Sequence, residues 1–255
     1  MYMILPLMNI VRRIVGGGFS NIEYSFMSTL WLLEKGKYYF KCGGTYIGKN
    51  IILTAAHCLH NKDIRRFEIR MGGNEIFKQK HTFKIRRVVI NSGFNSSNLQ
   101  NDIALIFLDK NPNNFGYKPI NLPCGHMKNE SNKIGQNLKV IGFGINNVNM
   151  NGHINKLKEI IVQTIPIEKT GYNHKLVTKN MLLANSIVNG QICDACTGDS
   201  GGPAFRKING KDYIIGIVSW GAGCSKKNLP GVYTNVYSYH EWVRKVCGFP
   251  LCSNH

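Results

Sequence analysis

Gly198-Asp199-Ser200-Gly201-Gly202-Pro203 sets one serine in a turn of small residues. Small neighbours let another backbone approach closely. The same turn can aim the amides of Gly198 and Ser200 at one point, as an oxyanion hole requires. Serine is a weak nucleophile at neutral pH. It needs a base beside it, and the base needs a third group to hold its tautomer and stabilise the imidazolium. Working outward from Ser200, the chain offers both. His57 lies in Leu53-Thr54-Ala55-Ala56-His57-Cys58, and Asp102 heads the apolar run Asn101-Asp102-Ile103-Ala104-Leu105-Ile106. Taken singly, His57 reads as a satisfied core histidine and Asp102 as a strand-start cap. Beside the Ser200 turn they read as a set.

The surrounding chain is all-β in pattern. Short strand-like runs recur between Gly, Asn and Pro clusters, among them 38–46, 50–54, 67–71, 84–90, 103–108, 138–142, 157–165 and 213–220. The runs fall into two similar halves with a break near Asn111 to Asn121, which fits two packed barrels with a cleft between them. Trp242, Val243 and Val246 stand at helical spacing, so 239–246 predicts a terminal helix. Asn146 to Asn155 is polar and reads as a loop.

Composition narrows the class. With 43% hydrophobic residues in 255, this is not a disordered chain. No stretch is apolar and long enough to span a bilayer as a helix. Cys193-Asp194-Ala195-Cys196 has metal or redox spacing but no second half, so disulfides better account for the eight cysteines. The net charge of +18 predicts attraction to anionic surfaces, while a Lys- and Asn-rich bias would produce the same number. Met1 to Val11 has neither the basic start nor the cleavage site of a signal peptide, which suggests a misassigned start or a truncated signal.

Six segments together resemble the chymotrypsin/trypsin family: Ile14-Val15-Gly16-Gly17, TAAHC at 54–58, DIALI at 102–106, GDSGGP at 198–203, SWGAGC at 219–224 and PGVYT at 230–234. They occur in the family's order, His before Asp before Ser, unlike subtilisins and α/β-hydrolases. The resemblance implies two packed antiparallel six-stranded β-barrels with a short C-terminal helix. It further implies a pro-region at 1–13 and a peptidase domain at 14–255, with a first barrel at about 28–120, a second at about 121–235 and the helix at about 236–246.

The roles that come with it are these. His57 is general base and then acid, Asp102 orients it and Ser200 attacks, with Gly198 and Ser200 as oxyanion donors. Cleavage after Arg13 frees an Ile14 ammonium to pair with Asp199. Asp194, six residues before Ser200, lies at the pocket base, with Ala195, Ser219, Gly221 and Gly231 around the substrate. Ala195 stands where many trypsins have Ser, which favours Arg over Lys because Arg bonds a carboxylate bidentately unaided. Cys193 beside Asp194 departs from the family and bears on the pocket entrance. Cys42 with Cys58, and Cys196 with Cys224, match family disulfides. Cys124, Cys193, Cys247 and Cys252 do not, and Cys124 with Cys247 or Cys252 is the attractive pairing.

The stretch 74–84 replaces the family's calcium loop with one Glu among lysines, so no metal is expected, and no cofactor. The Lys78 to Arg87 region, with Arg65, Arg66 and Arg70, is either a site for an anionic partner (a sulfated glycan or acidic protein) or a solvated charged loop. Asn95 and Asn129 fit glycosylation acceptors. The expectation is a secreted, extracellular, monomeric serine endopeptidase acting on Arg/Lys peptides. A protease-like binding module and an esterase are the alternatives.

Overall fold

The structure is a computed structural model. It describes residues 18–144, 156–188, 191–193, 199–221 and 228–248. The expected loop at 146–155 lies outside them.

A short strand β1 (Gly18–Phe19) precedes six strands: β2 (Met27–Glu34), β3 (Lys37–Gly48), β4 (Ile51–Thr54), β5 (Phe67–Met71), β6 (His81–Ile90) and β7 (Ala104–Leu108). These six close into a barrel in the order β2-β3-β4-β7-β6-β5. β5, Phe-Glu-Ile-Arg-Met, alternates buried and half-buried positions, whereas Ala104 to Leu108 of β7 is buried throughout. β6 begins at His81, inside the stretch read from sequence as a loop.

After a short helix α1 (Lys128–Asn132) come β8 (Asn137–Gly142), β9 (Lys158–Ile165), β10 (Met181–Val188), β11 (Gln191–Cys193), β12 (Pro203–Ile208), β13 (Lys211–Trp220) and β14 (Gly231–Asn235). The order β9-β8-β12-β13-β14-β10 closes through a β9–β10 pairing, with β1 added to β9 and β11 to β10. The molecule is therefore two closed six-stranded antiparallel barrels.

The helix α2 (His240–Cys247) ends the described chain. It stops at Gly248, whose left-handed backbone (φ 66°) lets its N–H cap the Arg244 carbonyl. Its Val243 is fully buried in the first-barrel core, where Trp242 and Val246 pack beside it. The terminal helix thus ties the end of the second barrel to the first.

The barrels also meet backbone to backbone. An ideal Cβ on Gly43 of β3 would lie 2.8 Å from the Gly202 Cα. A side chain at position 43 would forbid that approach.

Candidate functional site

The register of the first barrel builds half of the site. In the β4–β7 ladder Thr54 pairs with Ala104. His57 follows Thr54 by three residues and Asp102 precedes Ala104 by two, so both leave the barrel at the same rim. Asp102 is buried, with a side-chain exposure of 0%, and His57 retains 26%. The Asp102 carboxylate accepts the His57 backbone N–H on Oδ1 at 2.8 Å and bonds the His57 Nδ1 through Oδ2 at 2.7 Å. A carboxylate only accepts, so Nδ1 carries the proton and Nε2 is left as the acceptor.

A third donor comes from the other barrel. Ser219 on β13 donates from Oγ to Asp102 Oδ2 at 2.6 Å. Thr234 on β14 donates to the Asp102 carbonyl at 2.8 Å, and Tyr239 donates to Asn101 Oδ1 at 2.9 Å. A buried charge is costly unless its lone pairs are satisfied, and Asp102 is satisfied from both barrels.

Ser200 sits on the turn between Asp199 and Gly202. The Gly201 N–H donates to the Val218 carbonyl at 2.8 Å and the Gly202 N–H to the Asp199 carbonyl at 2.9 Å. The first barrel reaches over to hold this turn: the Gly43 N–H donates to the Ser200 carbonyl at 2.8 Å. Gly43 follows Cys42, Cys42 is joined to Cys58 by a disulfide, and Cys58 follows His57. The Ser200 turn and the His57 segment are thus anchored to one strand. The Thr54 hydroxyl donates to the Gly43 carbonyl at 2.8 Å and locks it from behind.

Asp199 is buried at 1% exposure, and its Oδ1 accepts the Gly144 N–H at 3.0 Å. Gly221 and Gly231 face each other, with an ideal Cβ on Gly221 lying 3.9 Å from the Gly231 Cα. A side chain at either position would narrow that gap. Asp194, Ala195, Gly198, Cys196, Cys224, Arg13 and Ile14 lie outside the described residues.

Two readings of the cysteines are resolved. Cys42–Cys58 is present, with a Cα–Cα distance of 6.3 Å. Cys124 is disulfide-bonded, but Cys247 is a free thiol, so the proposed Cys124–Cys247 pair is wrong. The reason is the seating of α2. Cys247 packs on the first-barrel core beside Lys49 and Arg87, and burial pushes its thiol up to about 11. Cys42, His57 and Cys58 have donor atoms within 4.8 Å of one another. Both sulfurs are spent in the disulfide, however, and a metal needs thiolates.

The basic region is largely engaged with its own chain. Lys78 pairs with Glu75 at 2.7 Å, Lys80 with Glu23 at 2.8 Å and Arg70 with Glu68 at 2.6 Å. Arg87 lies 3.8 Å from the centre of the Phe107 ring. These pairings support the solvated-loop reading over a dedicated anion site.

Comparison with known proteins bears on the same residues. The family model described as Trypsin matches residues 14–243. The chain belongs to the trypsin family. Among its relatives is vitamin K-dependent protein C of Rattus norvegicus, 32% identical over 92% of this chain and 52% of the relative. The clotting factor G beta subunit of Tachypleus tridentatus is 30% identical over 93% of this chain and 80% of its own length. Complement factor I of Rattus norvegicus is 34% identical over 84% of this chain and 36% of its own. The chain spans about half the length of protein C. Membership makes it a serine protease by family.

Sequence reasoning missed several of this trypsin-family site's supports. Ser219 was assigned to substrate binding, yet its hydroxyl is turned onto Asp102. The hydrogen-bond partners of Thr54, Gly43, Thr234 and Tyr239 carried no signal, because they lie 11 to 157 residues away in sequence.

Proposed function

We propose that the chain is a secreted serine endopeptidase that cleaves after Arg, and less well after Lys, through an acyl-enzyme formed on Ser200. The observation that carries the reading is the His57–Asp102 pair, with its free Nε2, at the rim against which the Ser200 turn is anchored. Ser200 Oγ attacks the scissile carbonyl and passes its proton to His57 Nε2. His57 returns that proton to the departing amine, and water then releases the acid by the same route. The amides of Gly198 and Ser200 receive the oxyanion.

Activation follows cleavage between Arg13 and Ile14. The new ammonium pairs with Asp199, whose carboxylate is already out of water. Asp194 at the pocket base selects a cationic side chain, and its pairing to Arg is bidentate. Gly221 and Gly231 carry no side chains to obstruct that group. Ser219 and Gly221 pair with the substrate as a strand. Since the Ser219 hydroxyl is committed to Asp102, its contribution is through main-chain atoms.

The test is hydrolysis of matched fluorogenic peptides ending in Arg, Lys, Phe or Ala, before and after cleavage at Arg13-Ile14, with Ser200→Ala as control. Activity that appears on cleavage, prefers Arg and vanishes in Ser200→Ala supports the reading. Cleavage after Phe or Ala overturns the Asp194 assignment. No cleavage by the processed, oxidised protein overturns the enzyme reading.

A further inference from the structure

We propose that Lys41 and Lys62 form an acid-selecting subsite for the leaving half of the substrate, so that an acidic residue one or two positions after the scissile bond speeds cleavage. This rests on the acyl-transfer reading above.

The placement follows from His57. In that reaction Nε2 hands its proton to the departing amine, so the leaving half begins within reach of Nε2. Cys58 Sγ lies 3.8 Å from Nε2. The wall beyond the imidazole is therefore the Cys42–Cys58 disulfide. The pocket glycines Gly221 and Gly231 belong to the second barrel, so the acyl half and the leaving half are divided between the two barrels.

Both lysines are tied to that wall. Lys41 precedes Cys42 on β3, and Lys62 Nζ donates to the Cys58 carbonyl at 3.2 Å. A second residue of an extended chain sits about 7 Å from the first, well within the span of a lysine stem.

The charge there is unbalanced. Glu34 is the carboxylate that serves both ammoniums, and its contact with Lys41 Nζ is long, at 3.4 Å, with 41% of its side chain exposed. The neighbouring Asp63 is taken by Arg65 at 2.9 Å. Lys37, opposite Glu34 in the β2–β3 hairpin, adds a further positive charge. Lys62 is exposed as a whole, yet desolvation of its ammonium, and then repulsion from Lys41, hold its pKa below the ordinary lysine value, with Glu34 opposing. An incoming carboxylate relieves that repulsion.

The experiment uses the full chain, processed after Arg13, and internally quenched peptides with a constant Arg-terminated acyl half. Their leaving halves carry Glu, Gln or Lys at the first or second position. An arginyl coumarin amide, which has no leaving peptide, runs beside them. We expect kcat/KM for Glu to exceed Gln by about fivefold and Lys by about twentyfold at low salt, the scale of two partly exposed ion pairs. The preference shrinks at 0.5 M salt, as screening requires. It inverts toward Lys in Lys41→Glu/Lys62→Glu. Glu34→Gln, which keeps both lysines and needs no charge reversal, widens it.

If the coumarin amide is cleaved but Glu, Gln and Lys peptides run equally, the subsite is wrong and the endopeptidase reading stands. If nothing is cleaved, both fall. A Glu preference that persists unchanged in the double variant also overturns the assignment to these lysines.

Discussion

Gly201→Ala tests how the Ser200 turn is held. Gly201 has φ 79°, a left-handed backbone that costs an alanine about 1 kcal/mol or more. Its added methyl would lie 2.3 Å from Thr54 Oγ1, 2.6 Å from the Gly43 carbonyl oxygen and 3.3 Å from the Ala55 N. Two of those three atoms are backbone, and the third is a hydroxyl already bonded to Gly43, so none can turn away without breaking a bond. Overpacking of this kind costs about 1–3 kcal/mol. The total expected loss is about 2–4 kcal/mol, read by urea unfolding with the disulfides intact.

If the chain relieves the clash by moving the turn, the loss appears in rate instead. A displacement of about 1 Å at the nucleophile costs about a hundredfold. Thr54→Ala combined with Gly201→Ala removes the nearest clash but not the one with Gly43. The double variant should therefore recover only part of the loss, with a coupling of about 1 kcal/mol or more in the cycle. A Gly201→Ala protein that stays within about 0.5 kcal/mol of the parent and keeps full arginyl-amidase activity would refute the argument.

Three further outcomes follow. Replacing Cys42 and Cys58 together by Ala opens a link of sequence separation 16 and should cost about 3 kcal/mol in urea unfolding. A loss below about 1 kcal/mol would mean that the barrel alone positions the His57 segment. With its thiol at about 11, Cys247 should react slowly with a disulfide reagent at pH 8, its rate climbing toward pH 11. The raised value also means that its stabilisation is complete below the unfolded thiol value and fades as pH rises through about 11. A thiol titrating near pH 8 would contradict the seating of α2.

Glu159 offers the opposite sign. Desolvation works to raise its pKa, but hydrogen bonds from Tyr24 and Ser20, with Lys139 beside them, hold it below its ordinary 4.5. Its contribution is present above 4.5 and lost as pH falls through the lower folded value. Tyr24→Phe removes a 2.7 Å donor and should flatten the acid limb of the stability curve. An unchanged limb would remove Tyr24 from the network.

The sequence by itself determined the family and the two-barrel architecture, and it singled out His57, Asp102 and Ser200 as the candidate triad. These are written in short contiguous segments whose chemistry is local: a Gly-rich turn, a histidine before a cysteine, an aspartate heading an apolar run. The alternation in β5 and the helical spacing of Trp242, Val243 and Val246 were equally readable, because each period lives within one element. The start of β6 at His81 was not, since its lysines suggest a loop and the barrel ladder with β5 overrides them.

Tertiary structure alone decided how the site is held. The Thr54–Ala104 register sets His57 beside Asp102, and Ser219 crosses from the other barrel to finish the carboxylate's hydrogen bonds. Gly43 seats the Ser200 turn. The same holds for Cys247, which faces the first-barrel core rather than Cys124. Pairings between residues distant in sequence depend on ladder register and on which face an element buries. A linear chain records the residues that can meet but not the packing that brings them together.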